Sequence, residues 1–289
     1  MMIFAGFYPI RQFWRALVAL GAVFFSVTTQ AAASYTFGVL PQRSPVLTAQ
    51  YWNPILDWVS QQSGVKLEIR IAASGGQAGE AVRKGEYDFA YSNHQFKPSA
   101  QAQGYTVILR RDLPKIAATL VVPTASPIQT VAELAGKTVV FANPHGFVGY
   151  AVPMDFLTRS NIDVKATFGS NQEGALWQLR LGSAQAVGVN QSILAAYEAR
   201  EKVTFRQLWT SRAYPDLAIS VHPRVPKAVA DAVRRALLQL SNTHAGQQIL
   251  AKSARLAGES QPAGFVSATQ QDYEDYLTFY RHTQFHGAD

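Results

Sequence analysis

Short apolar segments that resemble strands alternate with amphipathic segments that resemble helices along most of the chain. Residues 65–72, "VKLEIRIA", alternate apolar and polar side chains, which is typical of a half-buried strand near a sheet edge. Residues 226–241 place Val229, Val233 and Leu237 on one stripe of a helix. This alternation predicts an α/β fold in which mostly parallel sheets are flanked by helices.

The regular alternation is interrupted twice, near residues 110–120 and 205–218. Each interruption is an extended, charged segment that contains a proline, Pro114 in the first and Pro215 in the second. Two such crossings predict two lobes joined by two hinge segments, with a ligand cleft between the carboxyl ends of their sheets. The predicted lobe 1 comprises residues 34–115 and 212–289, and the predicted lobe 2 comprises residues 116–211.

The N-terminal segment has the pattern of a secretory signal peptide. Arg11 and Arg15 precede an apolar run over residues 16–27, and small residues lead to a cleavage position after Ala33. The run is shorter than the roughly 20 apolar residues of a membrane-spanning helix, although an uncleaved anchor remains an alternative. We therefore exclude residues 1–33 from the fold and expect export to the periplasm, which suits a sequence without cysteine.

Composition restricts the classes of function. The 289 residues are 48% hydrophobic and 16% charged, which supplies ample material for a core. The net charge is +7, yet Lys and Arg never form a run longer than two residues. Without a basic stripe, nucleic-acid binding is not expected. We expect a monomer with neither a cofactor nor a bound metal.

Residues 143–150, "NPHGFVGY", follow the strand-like run "KTVVFA" and precede a helix-like segment. The free N–H groups of a first helical turn attract anions, so a strand that ends in such a turn is a ready ligand platform. Gly146 and Gly149 permit a close backbone approach or a positive φ. An ordinary strand-to-helix turn is the alternative interpretation of this stretch.

Several motifs occur in an order that resembles one family. They are "GEYDFAYSN", "ELAGKTVVFANP" and "LRLGSAQAVGVN", which follow "FGVLP" and precede "YPDLAISVHPRVP". In this order they are similar to the phosphate/phosphite/phosphonate-type periplasmic substrate-binding proteins of ABC importers. The resemblance covers nearly the whole mature chain. It implies a two-lobed solute-binding protein, not an enzyme, that serves a membrane permease.

The loop that holds the ligand in this family departs from the family's pattern. The family presents Ser-Thr-Ser-Gly at the helix start, whereas residues 144–149 read "PHGFVG". The family's "Ser-His-Asp" appears as Ser170 followed by Asn171 and Gln172, and the Asp that ends a later strand is replaced by Asn190. Much of the side-chain chemistry for a phosphonate is therefore missing. We expect a small polar or anionic ligand with some flat or apolar surface.

The resemblance and the predicted loop positions together give the candidate ligand-binding residues. Four loops are expected to converge on the cleft, and Asn190 completes the set. The predicted residues are Gln42, Arg43, Tyr91, Ser92, Asn93, His94, Asn143, His145, Gly146, Phe147, Tyr150, Ser170, Asn171, Glu173 and Asn190. Phe147 and Tyr150 have core packing as their alternative role, and Arg43 has solvation at the surface.

Two other functions remain open. An extracytoplasmic sensor that passes its signal to a membrane histidine kinase would need the same cleft. An enzyme on this scaffold is the less favoured alternative, because no nucleophile motif or P-loop is present. A metal site at His94, His145 and Glu173 is also disfavoured, because the three residues lack short ligand spacing.

Overall fold

The computed structural model describes residues 1–2, 33–259 and 261–287. The predicted signal peptide falls almost entirely outside the described residues. The strands are β1 (Ser34–Val39), β2 (Lys66–Ile71), β3 (Phe89–Ser92), β4 (Thr106–Arg111), β5 (Ala118–Pro123), β6 (Thr138–Phe141), β7 (Lys165–Phe168), β8 (Ala186–Asn190), β9 (Phe205–Thr210), β10 (Ala218–Val221) and β11 (Phe265–Ser267).

The helices share the amphipathic patterns seen in the sequence. They are α1 (Pro45–Ser63), α2 (Gly75–Arg83), α3 (Val152–Arg159), α4 (Gln172–Arg180), α5 (Gln191–Glu201), α6 (Lys227–Gln239), α7 (His244–Leu256) and α8 (Glu274–His282). Short 3₁₀ turns cover His94–Phe96, Pro98–Gln103, Val131–Leu134 and Gln270–Tyr273, and a π-helical turn covers Phe147–Ala151. Among the described residues, no helix combines the length and apolar character needed to cross a bilayer.

The strands form two separate sheets, one in each lobe. The six-stranded sheet has the order β11-β4-β10-β3-β1-β2, and the five-stranded sheet has the order β7-β6-β8-β5-β9. The alternating strand β2 lies at an edge, as its pattern predicted. We use "first lobe" for the part built on the six-stranded sheet and "second lobe" for the part built on the five-stranded sheet.

Both sheets are mixed, which refines the expectation of mostly parallel sheets. In the first sheet β1 pairs in parallel with β2 and β3, while β10 lies antiparallel between β3 and β4. In the second sheet β6 pairs in parallel with β7 and β8, while β5 runs antiparallel to β8 and β9. Strand β11 is also antiparallel to its neighbour β4, and the reversed strands β5 and β10 directly follow the two crossings between the lobes.

The two crossing segments pair with each other. Ile116 and Tyr214 exchange both backbone hydrogen bonds, each 2.7 Å long, in an isolated antiparallel bridge. Pro114 and Pro215, which marked these segments in the sequence, stand next to the bridge. Two short segments joined in this way connect the lobes as a narrow link.

The long helix α1 shows how the sequence sets local structure in the first lobe. Ser44 caps its start by accepting the N–H of Leu47, and the helix continues through Pro54. It ends at Gly64, whose φ of 69° is left-handed, a conformation that favours glycine. The helix buries an apolar face against the sheet, with Trp52 at 3% exposure.

Two local features depart from what the sequence patterns indicate. The spacing of Thr130 and Glu133 is that of a helix capping box, but the segment Val131–Leu134 is a single 3₁₀ turn. The Thr130 hydroxyl donates to the Glu133 carboxylate instead of capping the backbone. Strand β11, only three residues long, was not predicted because it has too few residues to show alternation. The C-terminal Tyr273 and Tyr276 lie three residues apart, a spacing typical of core packing in a helix, and both are fully buried.

Candidate functional site

The second-lobe loop after β6 folds around its own asparagine. The Asn143 Oδ1 atom accepts the N–H of His145 at 2.9 Å, and the Asn143 carbonyl accepts the N–H of Gly146 at 3.3 Å. The π-helical turn then begins and continues directly into α3. Gly146 has a φ of −71°, so it adopts an ordinary conformation. Gly149 is also outside the positive-φ region. Of the two reasons expected for these glycines, a positive φ is therefore wrong for both, and close approach of the backbone is left.

This loop closes a small cavity of about 40 Å³. Both Gly146 and Gly149 line it, so their missing side chains leave this space open. The first-turn N–H groups of a helix have no intrahelical acceptor, and they carry the positive end of the helix dipole. The opposite wall includes Asn93, whose Oδ1 atom has no partner among the described residues. The cavity therefore suits one small polar or anionic group.

A larger cavity of about 340 Å³ adjoins the small one, because Leu40, Gln42 and Ile116 line both. Its first-lobe wall is largely aromatic and includes Tyr51, Trp52 and Tyr91. Its second-lobe wall comes from the end of β8 and the start of α5, through Asn190, Ser192, Ile193 and Ala196. The two cavities together occupy the space between the lobes, next to the crossing segments.

A buried ion pair forms one side of the larger cavity. Two guanidinium nitrogens of Arg111 donate to Glu259 at 2.6 and 3.3 Å, and the guanidinium lies 4.5 Å from the centre of the Tyr51 ring. Arg111 is 7% exposed. Arg43 is directed to the same carboxylate at 3.9 Å and donates to the Ala257 carbonyl. Glu259 therefore neutralises positive charge that would otherwise face the ligand space.

Asp216 is a buried carboxyl group that forms no direct ion pair within the described part of the chain. It follows Pro215 in the second crossing segment, is 7% exposed, and lines the larger cavity. Its Oδ1 atom has no hydrogen-bond partner within the described part of the chain. Burial raises the pKa of Asp216 above its usual range, against the opposing effects of the Leu217 N–H and of Arg111.

Two tyrosine hydroxyls in the same cavity are also buried polar groups without a hydrogen bond. The hydroxyls of Tyr51 and Tyr91 are buried and make no hydrogen bond of normal geometry in the described chain, although both lie near the Arg111 guanidinium and Tyr91 also lies near the Asp216 carboxyl. Burial raises the pKa of both hydroxyls, so they remain neutral donors at physiological pH. Buried polar groups are normally hydrogen-bonded, and a cluster of unpartnered ones next to a cavity indicates a site that a ligand completes.

The structure distributes the predicted residues among three locations. Those lining the larger cavity are Gln42, Arg43, Tyr91 and Asn190, and those lining the small cavity are Gln42, Asn93, His94, Asn143, Gly146, Phe147 and Asn171. Those that line neither are Ser92, His145, Tyr150, Ser170 and Glu173. As ligand contacts, all fifteen remain predictions.

The residues outside both cavities have other partners. Ser92 is buried and its hydroxyl accepts the N–H of His94. Tyr150 packs edge-on against Phe141 of the second lobe and Phe285 of the C-terminal segment, and Glu173 forms a surface ion pair with Arg200 at 2.9 Å. Ser170 is exposed with a φ of 68°. The geometry gives these four residues no contact with the cleft.

His94 forms a direct hydrogen bond between the lobes. Its Nε2 atom lies 3.2 Å from the His145 carbonyl oxygen, which can only accept, so Nε2 carries the proton. Burial, with a smaller effect of Lys97, lowers the pKa of His94 to about 3. The ring is therefore neutral at physiological pH. Within the described chain, no group of three or more acidic or histidine side chains could hold a metal.

We expect His94 to make the protein acid-sensitive. The unfolded chain takes up a proton below its ordinary pKa of about 6.5, whereas the folded chain resists protonation down to about 3. The stability contributed by neutral His94 is thus lost as pH falls from 6.5, by about 2 kcal/mol at pH 5. Urea unfolding of wild type and His94→Gln at pH 7.5 and 5 measures this difference. His244→Gln, at an exposed position, is the matched control, and an equal pH response in both variants would contradict the expectation.

The fold and the cleft together define the class of protein. Two mixed α/β lobes, joined by two short crossing segments with cavities between them, are the architecture of two-lobed periplasmic binding proteins. The family model "ABC transporter, phosphonate, periplasmic substrate-binding protein" matches residues 37–273. The chain belongs to this family of solute-binding proteins. Its members and its structural neighbours are binding proteins.

Solved structures share the fold at low sequence identity. PhnD1 from Prochlorococcus marinus, solved with methylphosphonate, superposes with a TM-score of 0.72 at 15% identity, covering 86% of this chain and 97% of that one. A binding protein component of an ABC phosphonate transporter from Pseudomonas aeruginosa also gives 0.72, at 18% identity, covering 86% and 85%. At these identities the similarity establishes the fold.

One curated relative is a signalling protein. The tetrathionate sensor histidine kinase TtrS of Salmonella typhimurium strain LT2 is 25% identical over 264 residues. The match covers 77% of this chain and 42% of the kinase. The chain therefore spans less than half the length of the curated relative that it matches.

Proposed function

We propose that this protein captures a small organic zwitterion in the cleft between its lobes and delivers it to the membrane permease of an ABC importer. In this proposal residues 1–33 are the export signal and the protein acts in the periplasm as a monomer. The lobes comprise residues 34–115 with 212–289, and residues 116–211, and they close by a hinge motion of the crossing segments. The ligand is bound and released without chemical change.

The observation that carries the ligand assignment is the buried Asp216 Oδ1 atom, which has no hydrogen-bond partner in the described part of the chain. A buried carboxylate is costly unless a positive group or hydrogen-bond donors compensate it. Because Arg111 is already paired with Glu259, compensation from an ammonium group of the ligand fits best. The small cavity, with helix-start N–H groups, suits the anionic end of the same molecule. The aromatic wall between them accommodates the ligand's carbon skeleton.

A matched panel of compounds tests this assignment by calorimetry. The zwitterions are 2-aminoethylphosphonate, taurine and β-alanine, and each has a counterpart without the amine: ethylphosphonate, ethanesulfonate and propionate. We expect a zwitterion to bind at least 100-fold more tightly than its counterpart, because loss of the ammonium leaves Asp216 uncompensated. The preferred anionic group shows which head the small cavity accepts.

Two results would overturn the ligand assignment. Equal affinity for a zwitterion and its counterpart would show that Asp216 does not recognise an amine. Binding of none of the six compounds, in a protein that still unfolds cooperatively, would show that the site takes another chemistry. Mass spectrometry of the recovered ligand also tests the binding role, since a changed mass would indicate an enzyme.

The similarity to TtrS favours one alternative, an extracytoplasmic sensor that reports its ligand to a membrane kinase. The name of that relative adds tetrathionate to the panel. Tetrathionate carries negative charge at both ends and no amine, so we expect Asp216 to disfavour it. Tight tetrathionate binding would support the sensor role. A gene for a membrane kinase beside this one would do so as well, whereas permease and ATPase genes would support import.

A further inference from the structure

The first turns of α2 carry three glycines, of which Gly75 and Gly76 face the second-lobe loop and Gly79 faces His94. Gly75 and Gly76 open the helix and Gly79 follows one turn later. A Cβ atom placed on Gly75 would lie 2.8 Å from Nδ2 and 3.0 Å from Cγ of Asn143. A Cβ atom on Gly76 would lie 2.8 Å from Cδ2 of His145. Real Cβ atoms are not found this close to other heavy atoms, so any side chain here would move the loop.

A side chain at Gly75 would be harder to accommodate than a side chain at Gly76. His145 is exposed, so its ring has room to rotate away. The Asn143 amide is held by its hydrogen bond to the His145 N–H, and all three of its terminal heavy atoms lie within 3.0 Å of the Gly75 Cβ position. A side chain at Gly75 would fit only if the loop lost the hydrogen bond between Asn143 and His145, or if the lobes separated.

The third glycine supports the hydrogen bond between the lobes. A Cβ atom on Gly79 would lie 2.9 Å from Nδ1 of His94. The missing side chain lets the His94 ring lie against α2, where its Nε2 atom reaches the His145 carbonyl. All three glycines thus permit contact between the first lobe and the loop of residues 143–146.

We propose that the glycine face of α2, formed by Gly75, Gly76 and Gly79, is the surface on which the second-lobe loop docks when the cleft closes. Because these residues have no side chain, the lobes can close further than they otherwise could. The glycines line neither cavity, so they change ligand affinity only through the extent of closure. This role rests on the proposed function, because closure matters only if the cleft retains a ligand.

Cysteine cross-linking tests the docking surface without any ligand. The sequence contains no cysteine, so two introduced cysteines supply the only thiols in the protein. Gly75→Cys combined with Asn143→Cys places the sulfur of residue 143 near the Asn143 Cγ position, 3.0 Å from the Cβ of residue 75, within disulfide range. We expect mild oxidation to form this disulfide nearly completely in the folded protein.

The control pair uses the exposed Gln77 on the same helix. Gln77→Cys with Asn143→Cys is expected to cross-link at least ten-fold more slowly, because residue 77 points away from the loop. Equal rates for the two pairs, or no disulfide in the first pair, would overturn the docking surface. Since no ligand is present, these outcomes do not depend on whether the ligand assignment is correct.

Gly75→Ala then tests the effect on affinity, with whichever compound of the panel binds. Alanine is a better helix former than glycine, so α2 is expected to remain intact and the unfolding midpoint not to fall. Affinity is expected to weaken at least ten-fold, because a smaller fraction of the protein reaches the closed state.

The doubly substituted Gly75→Ala/Asn143→Ala protein separates docking from ligand contact. With the amide removed, Gly75→Ala is expected to cost less than two-fold relative to Asn143→Ala alone. A full ten-fold cost in that background, or unchanged affinity in Gly75→Ala itself, would overturn the proposal. Failure of every compound to bind would instead count against the ligand assignment and leave the cross-linking result to decide on docking.

Discussion

Glu259→Ala is expected to lower the free energy of unfolding by about 3–5 kcal/mol, because it leaves the buried Arg111 without its counter-charge. Arg111 donates two hydrogen bonds to this carboxylate, and its side chain is 8% exposed. In a chain of this size a loss of that magnitude lowers the melting temperature by roughly 10 °C. Urea unfolding and calorimetry measure the two quantities.

The exposed ion pair of Lys227 and Asp231 provides the control. Their side chains are 88% and 41% exposed, so Asp231→Ala is expected to cost less than about 1 kcal/mol. A double replacement, Arg111→Met with Glu259→Leu, is expected to recover most of the stability, because it removes both charges together. A Glu259→Ala protein as stable as Asp231→Ala would show that Arg111 is solvated or paired elsewhere.

The fold was predictable because its determinants are local. Alternation within β2, the apolar stripe of α6 and the prolines at the two crossings each depend on residues a few positions apart. These patterns were sufficient to predict two sheets, flanking helices and two connecting segments. The antiparallel course of β5 and β10 was not predictable, since it depends on which strands become neighbours after the chain crosses between the lobes.

The charged part of the site depends on contacts that no local pattern records. Arg111 ends β4, while Glu259 lies 148 residues later, beyond α7. Asp216 was visible in the sequence beside Pro215, but the segment was interpreted as a hinge. A charged residue that follows a proline in a predicted crossing segment is a signal that could have identified it, because such a segment must pass the cleft.

Phe147 shows why a loop position does not settle a role. As part of the second-lobe loop it was predicted to contact the ligand, with core packing as the alternative. In the structure its ring stacks on Tyr276 at 4.1 Å and meets Phe279 edge-on at 5.0 Å. Both partners come from α8, so the C-terminal helix anchors this loop. Phe147 also lines the small cavity, and the two roles coexist.

The larger cavity therefore combines a stabilising pair with a destabilising group. The Arg111–Glu259 pair brings opposite charges together without a ligand, and only the Arg111 Nε atom of its guanidinium has no hydrogen-bond partner in the described chain. The Asp216 Oδ1 atom and the two tyrosine hydroxyls have no hydrogen-bond partner in the described chain. Functional sites commonly retain groups of this kind at a cost in stability. A substitution that removes this cost in stability should therefore also remove ligand binding.

Asp216→Asn is expected to raise the stability of the ligand-free protein while it abolishes tight binding of a zwitterion. The amide keeps the shape of the side chain but removes the buried negative charge, a gain of about 1–3 kcal/mol in the free energy of unfolding. Loss of the charge partner for a ligand ammonium is expected to weaken binding by about 2–5 kcal/mol, or roughly 30-fold to several thousand-fold. Calorimetry gives the affinity, and urea unfolding gives the stability.

The pH dependence distinguishes this mechanism from a general packing effect. Because burial raises the pKa of Asp216 in the folded state, the folded protein binds the proton more tightly than the unfolded chain does. The cost of the ionised carboxyl is therefore present at neutral pH and disappears as pH falls through the raised value. The stability advantage of Asp216→Asn is expected to shrink over the same range, and zwitterion affinity of the wild type is expected to fall with it.

Asp57→Asn, the same change at an exposed position on α1, is the matched control and is expected to alter neither quantity. A less stable Asp216→Asn protein would mean that the carboxylate is compensated in the ligand-free state. Unchanged zwitterion affinity would mean that the amine lies elsewhere. The expected combination of opposite signs, greater stability with lost binding, requires a buried charge whose partner is the ligand, since a purely structural role would move both quantities in the same direction.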